Sequence, residues 1–386
     1  MVSVRKIIHV TDDFTRSGGG VATAIAELAR GLNAKAIPSE IVATRVDDTI
    51  APKGVPVLEL SATFPWIKNG VAEHLQARGS RGAIIHVHGL WKPLQLQAAR
   101  TARKLGIPWV FTPHNMLGGW LFQRSRWKWL KKQAYLRGLG QPLLRPDSVH
   151  FLSVRELAQA QDFFPGATHK CVLPNGLYLA PSLDEELQED ETTRQTLQGT
   201  VGKLPYFLYL GRLHEGKGIE ELIHAFAGSS SLSYRLVLAG TASQPSYGKR
   251  VRELVASLGL DERVVFAGRV HDALKGPLLR NAQATCLISY SEGMSLSALE
   301  SLKFGTPLVA TQEVGISKLN QHGSLIVSRE VNDVRKALEL ASLWSAEERA
   351  RRGEASRRYC ETQFSWSVLG QQYVDWYDHT LKRTQN

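Results

Sequence analysis

The sequence predicts an α/β protein built as two successive parallel-sheet domains. Short apolar runs of four or five residues alternate with longer stretches of helical periodicity, the order in which helices cover the faces of a parallel sheet. A polar, acidic stretch around residue 190 interrupts this alternation once, after which it restarts. At 386 residues the chain is long enough for each half to bury its own core.

In the first half, Ile7-Ile8-His9-Val10 reads as the opening strand. A loop with Gly18, Gly19 and Gly20 follows, then a helix from Val21 to about Leu32. Further strands are expected at Glu40–Ala43, Ile84–Val87, Trp109–Thr112 and Ser148–Leu152, with Ile107-Pro108 as the turn feeding Trp109. Asp184, Glu185, Glu186, Glu189, Asp190 and Glu191 mark residues 183–203 as a linker between domains at 1–182 and 204–364. In the second half, strands are expected at Phe207–Leu210, Arg235–Ala239, Val264–Ala267, Ala284–Ile288 and Leu308–Ala310. Helices are expected at Ile219–Ala227, Lys249–Leu258, Leu296–Phe304 and Val331–Leu343. Several strands end in glycine (Gly211, Gly240, Gly268), where open α/β sheets place ligands. The aromatic-rich segment 365–386 reads as a helix that either caps the second domain or crosses back to the first.

Hydrophobic residues at 43% and charged residues at 22% are ordinary for a globular protein. No run approaches the 18 or so apolar residues of a membrane span. The opening Met1–Lys6 is too short for a secretory signal and leads into the first strand. Three well-separated cysteines, Cys171, Cys286 and Cys360, match neither a disulfide framework nor a zinc site, so a cytoplasmic location is expected. Charge is one-sided. Residues 1–150 carry 21 Lys and Arg against 9 Asp and Glu, whereas residues 151–386 carry 26 against 27. Between Glu73 and Asp147 there is no acidic residue and there are 13 basic ones. An anionic partner for the first domain is implied: a membrane leaflet, a lipid-linked substrate or nucleic acid.

The densest chemistry lies in Glu292-Gly293-Met294-Ser295-Leu296-Ser297-Ala298-Leu299-Glu300, two carboxylates spanning the start of a helix. Upstream, the strand ending at Leu210 runs into Gly211-Arg212, with Lys217-Gly218 following. A glycine loop, a helix N-terminus and two cations suit a diphosphate, and carboxylates suit sugar hydroxyls.

Gly211-Arg212-Leu213-His214-Glu215-Gly216-Lys217-Gly218 and the Glu292–Glu300 stretch resemble family 4 of the glycosyltransferases. Leu173-Pro174-Asn175-Gly176, Leu238-Ala239-Gly240 and Phe304–Thr311 fall in the order that family shows. The resemblance covers most of the chain and is dense from about Leu173 to Gly315. It implies the GT-B fold, two facing Rossmann-like domains with a cleft between them, and retaining transfer from a nucleoside-diphosphate sugar. It also implies roles. Arg212 and Lys217 would bind the donor diphosphate and neutralise charge on the leaving phosphate, making a metal ion unnecessary. Glu292 would contact the donor sugar and Glu300 the ribose. Backbone N–H groups from Met294 through Ser295 and Leu296 to Ser297 would face the phosphates, Gly293 would line the donor site with them, and Arg269 and Val270 would cradle the base. Gly18, Gly19, Gly20 and Gly211 would let backbone approach the donor, and His114 would lie near the transferred sugar. No cofactor is implied beyond the nucleotide sugar as co-substrate. The segment from Asn115 to Lys132 resembles bacterial surface-polysaccharide and lipopolysaccharide enzymes, with a glycan or lipid-linked acceptor. Met294-Ser295-Leu296-Ser297 departs from the family, which has larger apolar residues and Pro there.

Each signal has a plainer reading. Glu292 and Glu300 alone would be solvated side chains. Arg212 and Lys217 could be surface charges, although cations near a helix start oppose its dipole. Gly18–Gly20 could open a dinucleotide site, but Thr23 stands where a third glycine belongs. His86 and His88 share one strand face and, with His114, could suggest a metal, yet no carboxylate lies near them in sequence. Arg124, Arg126, Trp127, Lys128, Trp129, Lys131 and Lys132 mix basic and aromatic residues as an interfacial segment does, while a solvated or partly buried helix explains the same composition. Nucleic-acid binding ranks below a membrane or lipid-linked partner. The rival functions are a GT-B sugar-nucleotide epimerase and a non-catalytic lipid- or nucleic-acid-binding protein.

Overall fold

Ile7, Ile8, Val10, Ile84, Ile85 and Val87 are wholly buried, on both faces of their strands, the condition of a parallel sheet covered by helices on each side. The computed structural model describes residues 3–60, 70–78, 82–118, 126–167, 169–179, 191–229, 233–270 and 272–384. It divides into two units, Met1–Tyr178 with Trp366–Asn386, and Leu179–Ser365.

The first unit holds β1 (Lys6–Phe14), α1 (Gly20–Ala34), β2 (Ser39–Val46), β3 (Val57–Glu59), α2 (Gly70–Arg78), β4 (Ala83–His88) and α3 (Pro93–Leu105). It continues with β5 (Trp109–Thr112), α4 (Arg126–Arg137), β6 (Ser148–Phe151), α5 (Val154–Ala160) and β7 (His169–Val172). The strands form one parallel sheet in the order β3-β2-β1-β4-β5-β6-β7. Chain direction through the sheet reverses between β1 and β4, which opens a crevice at their C-terminal ends.

The closing helix Trp366–Thr384 packs on this unit, burying Leu369, Tyr373, Trp376, Tyr377 and Leu381 against Ile7, Ile84 and Val110. Burying side chains of this size stabilises by about 1.5–3 kcal/mol each. Trp366 anchors it in a slot made by two glycines: an added Cβ would come within 2.2 Å of the indole at Gly31 and 2.7 Å at Gly176.

The second unit runs α6 (Glu191–Val201), β8 (Tyr206–Leu210), α7 (Ile219–Gly228), β9 (Arg235–Ala239), α8 (Pro245–Ser257), β10 (Val264–Gly268) and α9 (Asp272–Asn281). Then come β11 (Ala284–Leu287), α10 (Leu296–Lys303), β12 (Leu308–Ala310), β13 (Leu325–Ile326), α11 (Val331–Ser342) and α12 (Ala346–Phe364). Its parallel sheet has the order β10-β9-β8-β11-β12-β13, with the reversal between β8 and β11.

The linker reading of 183–203 needs correction. Residues 191–201 form α6, whose Leu197 and Val201 are buried beside Tyr206 and Leu278 in the second core. These two residues, spaced i and i+4, anchor one face, and of the acidic residues that suggested a linker only Glu191 lies on this helix. Within that range, residues 183–190 lie outside the described residues.

Candidate functional site

In the second unit Gly211, Arg212, Lys217, Glu292 and the start of α10 converge on the switch point between β8 and β11. After Leu210 the chain must turn sharply, and Gly211 does so with φ 150° while donating its N–H to Ala239 O at 2.9 Å. Gly240 lies against it so closely that an added Cβ would sit 1.8 Å from Gly211 O. A Cβ on Gly211 itself would meet Ser297 Oγ at 3.7 Å, so this loop lies beside the start of α10. Residues Glu215–Lys217 form one 3-10 turn, capped by His214 Nδ1, which accepts from Gly216 N at 3.0 Å. Gly218 then takes a left-handed φ of 63°, with Ile288 O filling the place of a Cβ at 1.9 Å. Tyr290 N donates to Gly216 O at 2.9 Å, which ties the two loops together.

Two cation–carboxylate pairs follow. Lys217 Nζ holds Glu292 Oε1, which also accepts from Ser289 Oγ at 2.9 Å. Lys275 Nζ, from α9, holds Glu300 Oε1 at 2.9 Å. Lys275 was not singled out from the sequence, because it sits seven residues beyond the glycine-ended strand β10 with no motif around it. Arg212 is exposed and pairs with no carboxylate among the described residues. Its carbonyl accepts from Tyr209 OH at 2.7 Å, and burial raises the Tyr209 phenol well above its ordinary range, so it stays a neutral donor.

The start of α10 is less open than the motif suggests. Ser295 Oγ caps the helix by accepting from Ala298 N at 3.3 Å, and Ser295 N donates to Val314 O at 2.8 Å. Ser295 N–H is therefore spent inside the fold, which corrects its assignment to the phosphates. Met294 is buried, and Gly293 is pressed on Gly315, where a Cβ would come within 2.4 Å of Gly293 O. The N–H groups of Leu296 and Ser297, in the first turn, point out of the helix end. Arg269 is exposed at the end of edge strand β10, and Val270 packs on the apolar cluster containing Leu208 and Ala239. No hydrogen bond or ion pair among the described residues joins either to the Lys217–Glu292 pair. Between β8, β9 and β10 lies an open depression of about 540 Å³, lined by Leu213, Gly240, Lys249, Arg252, Phe266 and Gly268. Arg252 stacks over Phe266 at 4.2 Å.

In the first unit, Gly18, Gly19 and Gly20 end a loop at the tip of β1 and begin α1, with Gly19 at φ 71°. His114 follows β5 in a left-handed conformation (φ 50°), as does Asn115 (φ 59°). Two consecutive non-glycine residues in this region store strain that the surroundings must hold. Glu156 does so: one carboxylate oxygen accepts from Asn115 N, the other from Leu152 N at 2.7 Å. Behind His114 lies a buried polar network. His88 Nδ1 meets His114 Nε2 at 3.0 Å and His88 Nε2 meets His9 Nδ1 at 3.1 Å. A second chain runs from Tyr377 OH to His86 Nδ1 (2.7 Å), from His86 Nε2 to Thr112 Oγ1 (2.6 Å), and on to His150 Nδ1 (2.8 Å). Burial depresses these imidazoles, to about 3 for His9 and His114 and about 4 for His150. The rings are neutral at pH 7.

His9, His86 and His88 form the one group among the described residues with potential metal-ligand atoms within 4.8 Å. Both nitrogens of His86 are already bonded to Tyr377 and Thr112, and both of His88 to His9 and His114, so hydrogen bonding accounts for the cluster.

Of the basic segment, Arg124 lies outside the described residues. Arg126 and Lys128 fall on α4, where Trp127 and Trp129 are 66% and 38% exposed. Lys131 Nζ lies over the Trp127 ring at 5.3 Å and Lys132 Nζ over Trp91 at 4.8 Å. No helix among the described residues is long and apolar enough to cross a membrane.

Residues 191–359 match the family model described as glycosyl transferases group 1, and residues 19–176 match the glycosyl transferase 4-like domain. D-inositol 3-phosphate glycosyltransferase of Xylanimonas cellulosilytica is 25% identical over 398 residues, covering 96% of this chain and 94% of that one. MMP alpha-(1->4)-mannosyltransferase of Mycolicibacterium hassiacum is 28% identical over 174 residues. That match covers 43% of this chain and 41% of the relative, so the chain spans less than half of that protein. Among solved structures, Anabaena HepE in complex with UDP and glucose superposes with a TM-score of 0.77 at 18% identity, over 96% of this chain and 98% of that one. With the two family models in tandem along most of its length and a Rossmann-like parallel sheet in each unit, the chain pairs a glycosyl transferase 4-like N-terminal domain with a group 1 glycosyl transferase domain in the GT-B fold.

Proposed function

We propose that this chain is a retaining, metal-independent glycosyltransferase that moves a sugar from a nucleoside-diphosphate sugar to a hydroxyl of a glycan or lipid-linked glycan. The observation that carries this reading is the pairing of Lys217 with Glu292 at the switch point of the second sheet, beside the exposed Arg212. On arrival of the donor, the diphosphate takes the Lys217 ammonium and the Arg212 guanidinium, and Glu292 is released towards sugar hydroxyls. The C1–O bond to the leaving phosphate breaks as the acceptor oxygen bonds to C1 from the same face. The acceptor proton passes to a phosphate oxygen. The two cations offset the charge that grows on the leaving group, the work a metal ion does elsewhere. In this reading Glu300, held by Lys275, takes the ribose, and the depression beside Gly240 and Gly268 takes the base. The Anabaena neighbour's complex with UDP and glucose supports a donor of this class.

The acceptor side rests on the basic first unit and on exposed Trp127 and Trp129 of α4, which suit an anionic leaflet and a lipid-linked acceptor in polysaccharide or lipopolysaccharide synthesis. The enzyme would then work at the cytoplasmic face of the membrane.

The test is turnover of UDP-, GDP- and ADP-sugars with candidate acceptors, with and without chelator. The products are read by the anomeric configuration of the new bond. The expected result is an acceptor glycoside of the donor's configuration, unaffected by chelator. A free or epimerised sugar nucleotide without glycoside would favour the epimerase instead, and inversion or loss of turnover with chelator would overturn the mechanism.

A further inference from the structure

We propose that His9 and His88 are positioning residues that fix the tautomer of His114, so that its ring presents Nδ1–H as a donor to a substrate oxygen. The substrate part rests on the sugar-site reading of His114 given above. The tautomer is a property of the protein alone.

Three rings stand in series, with His9 Nδ1 and His88 Nε2 3.1 Å apart and His88 Nδ1 and His114 Nε2 3.0 Å apart. A neutral imidazole carries one proton, on one of its two nitrogens. Each nitrogen–nitrogen contact needs one proton between its atoms. His88 has a single proton to give, so the two contacts must run in the same direction. In one direction His9 Nδ1–H donates to His88, and His88 Nδ1–H donates to His114 Nε2. That leaves the His114 proton on Nδ1 and a bare lone pair on His9 Nε2. In the other direction His9 Nε2 carries a proton.

His9 Nε2 decides between them. It is wholly buried and has no hydrogen-bond partner. A buried N–H without an acceptor is rarer in folded proteins than an acceptor left under-used. The neighbouring His86 offers no acceptor, since both of its nitrogens are taken by Tyr377 and Thr112. The first direction is therefore the stable one, and His114 carries its proton on Nδ1. That nitrogen has no protein partner among the described residues, and His114 lines a small cavity with Leu152, Asn175 and Trp366. Burial keeps all three rings uncharged, so the direction holds across the neutral pH range.

The experiment is long-range ¹H–¹⁵N correlation on the full chain labelled at histidine nitrogens, with His114 assigned by the signals lost in His114→Asn. Wild type is expected to show His114 protonated at Nδ1 and bare at Nε2. His88→Asn places an amide N–H where the ring Nδ1–H was, so it should keep both the tautomer and turnover. His88→Phe should shift the His114 proton towards Nε2 and lower kcat by about 10²-fold with donor KM little changed, because a donor at the reacting oxygen is withdrawn. Should His88→Phe fail to fold, His88→Leu withdraws the same donor in a smaller side chain. A His114 protonated at Nε2 in wild type overturns the proposal, as does unchanged kcat in a folded His88→Phe or loss of function in His88→Asn equal to that in His88→Phe. If no transferase activity is found, the functional reading fails, and the spectrum still decides the tautomer.

Discussion

Burial holds the Glu156 carboxyl up at about 7, although both its oxygens accept backbone N–H groups. In the unfolded chain the same group titrates near 4.5. Above that value the unfolded state binds fewer protons than the folded one, so stability falls as pH rises from about 4.5 to about 7 and then levels. The full effect is on the order of 3 kcal/mol. Glu156→Gln removes this charging cost. The difference in Tm between Glu156→Gln and wild type should therefore move in the variant's favour between pH 5 and pH 8. A difference that stays flat, or moves the other way, would mean the carboxylate is charged without penalty. Glu156 was invisible in the sequence, since a Glu three residues after Ser153 reads as a capping box. Only the fold brings its oxygens to the backbone of two separate strand ends. The histidine network is similar: His86 and His88 could be placed on one strand face from their spacing, but their partners lie on β1, β5, β6 and the closing helix. The pairing of Lys217 with Glu292, by contrast, joins two motifs that the sequence already marked.

Elements were legible where burial on both faces left continuous apolar runs. Trp109–Thr112, Arg235–Ala239 and Leu308–Ala310 have the bounds expected from such runs. Strands β3, β7 and β13 were missed because they are edge strands of two to four residues, and their pairing comes from the neighbour rather than from local pattern. Helix α9 was hidden by an internal Pro277. Gly240 is the clearest test at this scale. Its φ of 150° and the 1.8 Å between an added Cβ and Gly211 O mean that Gly240→Ala must displace the loop carrying Arg212. The variant is expected to lose about 2 kcal/mol or more of stability, together with donor binding. Gly259→Ala is the control: its φ is 64° but nothing lies within 4 Å of an added Cβ, so it should cost about 1 kcal/mol and leave binding intact. Equal loss of donor binding in both variants would show that the Gly211–Gly240 contact has no special part in the site.

Across the whole molecule, charge and composition gave the first indication of two unlike halves. The excess of 21 basic over 9 acidic residues in the first 150 positions predicts attraction to anionic surfaces that weakens with salt. Binding to vesicles containing phosphatidylserine should exceed binding to neutral vesicles and fall with ionic strength, and Trp127→Ser with Lys131→Ser should reduce it. Equal binding to both vesicle types would remove the membrane from the account. The fold class was readable because the alternation of strands and helices recurs along the chain. What the acceptor is was not readable, since no stretch of the sequence carries a motif for one.

The most direct test of the central claim is calorimetric titration of UDP, GDP and ADP into wild type, Arg212→Ala and Lys217→Ala. At least one nucleoside diphosphate is expected to bind wild type, each variant to lose affinity for it by about tenfold or more, and circular dichroism to show both variants folded. Binding of equal strength in all three proteins, or no binding of any diphosphate to wild type, would contradict that claim.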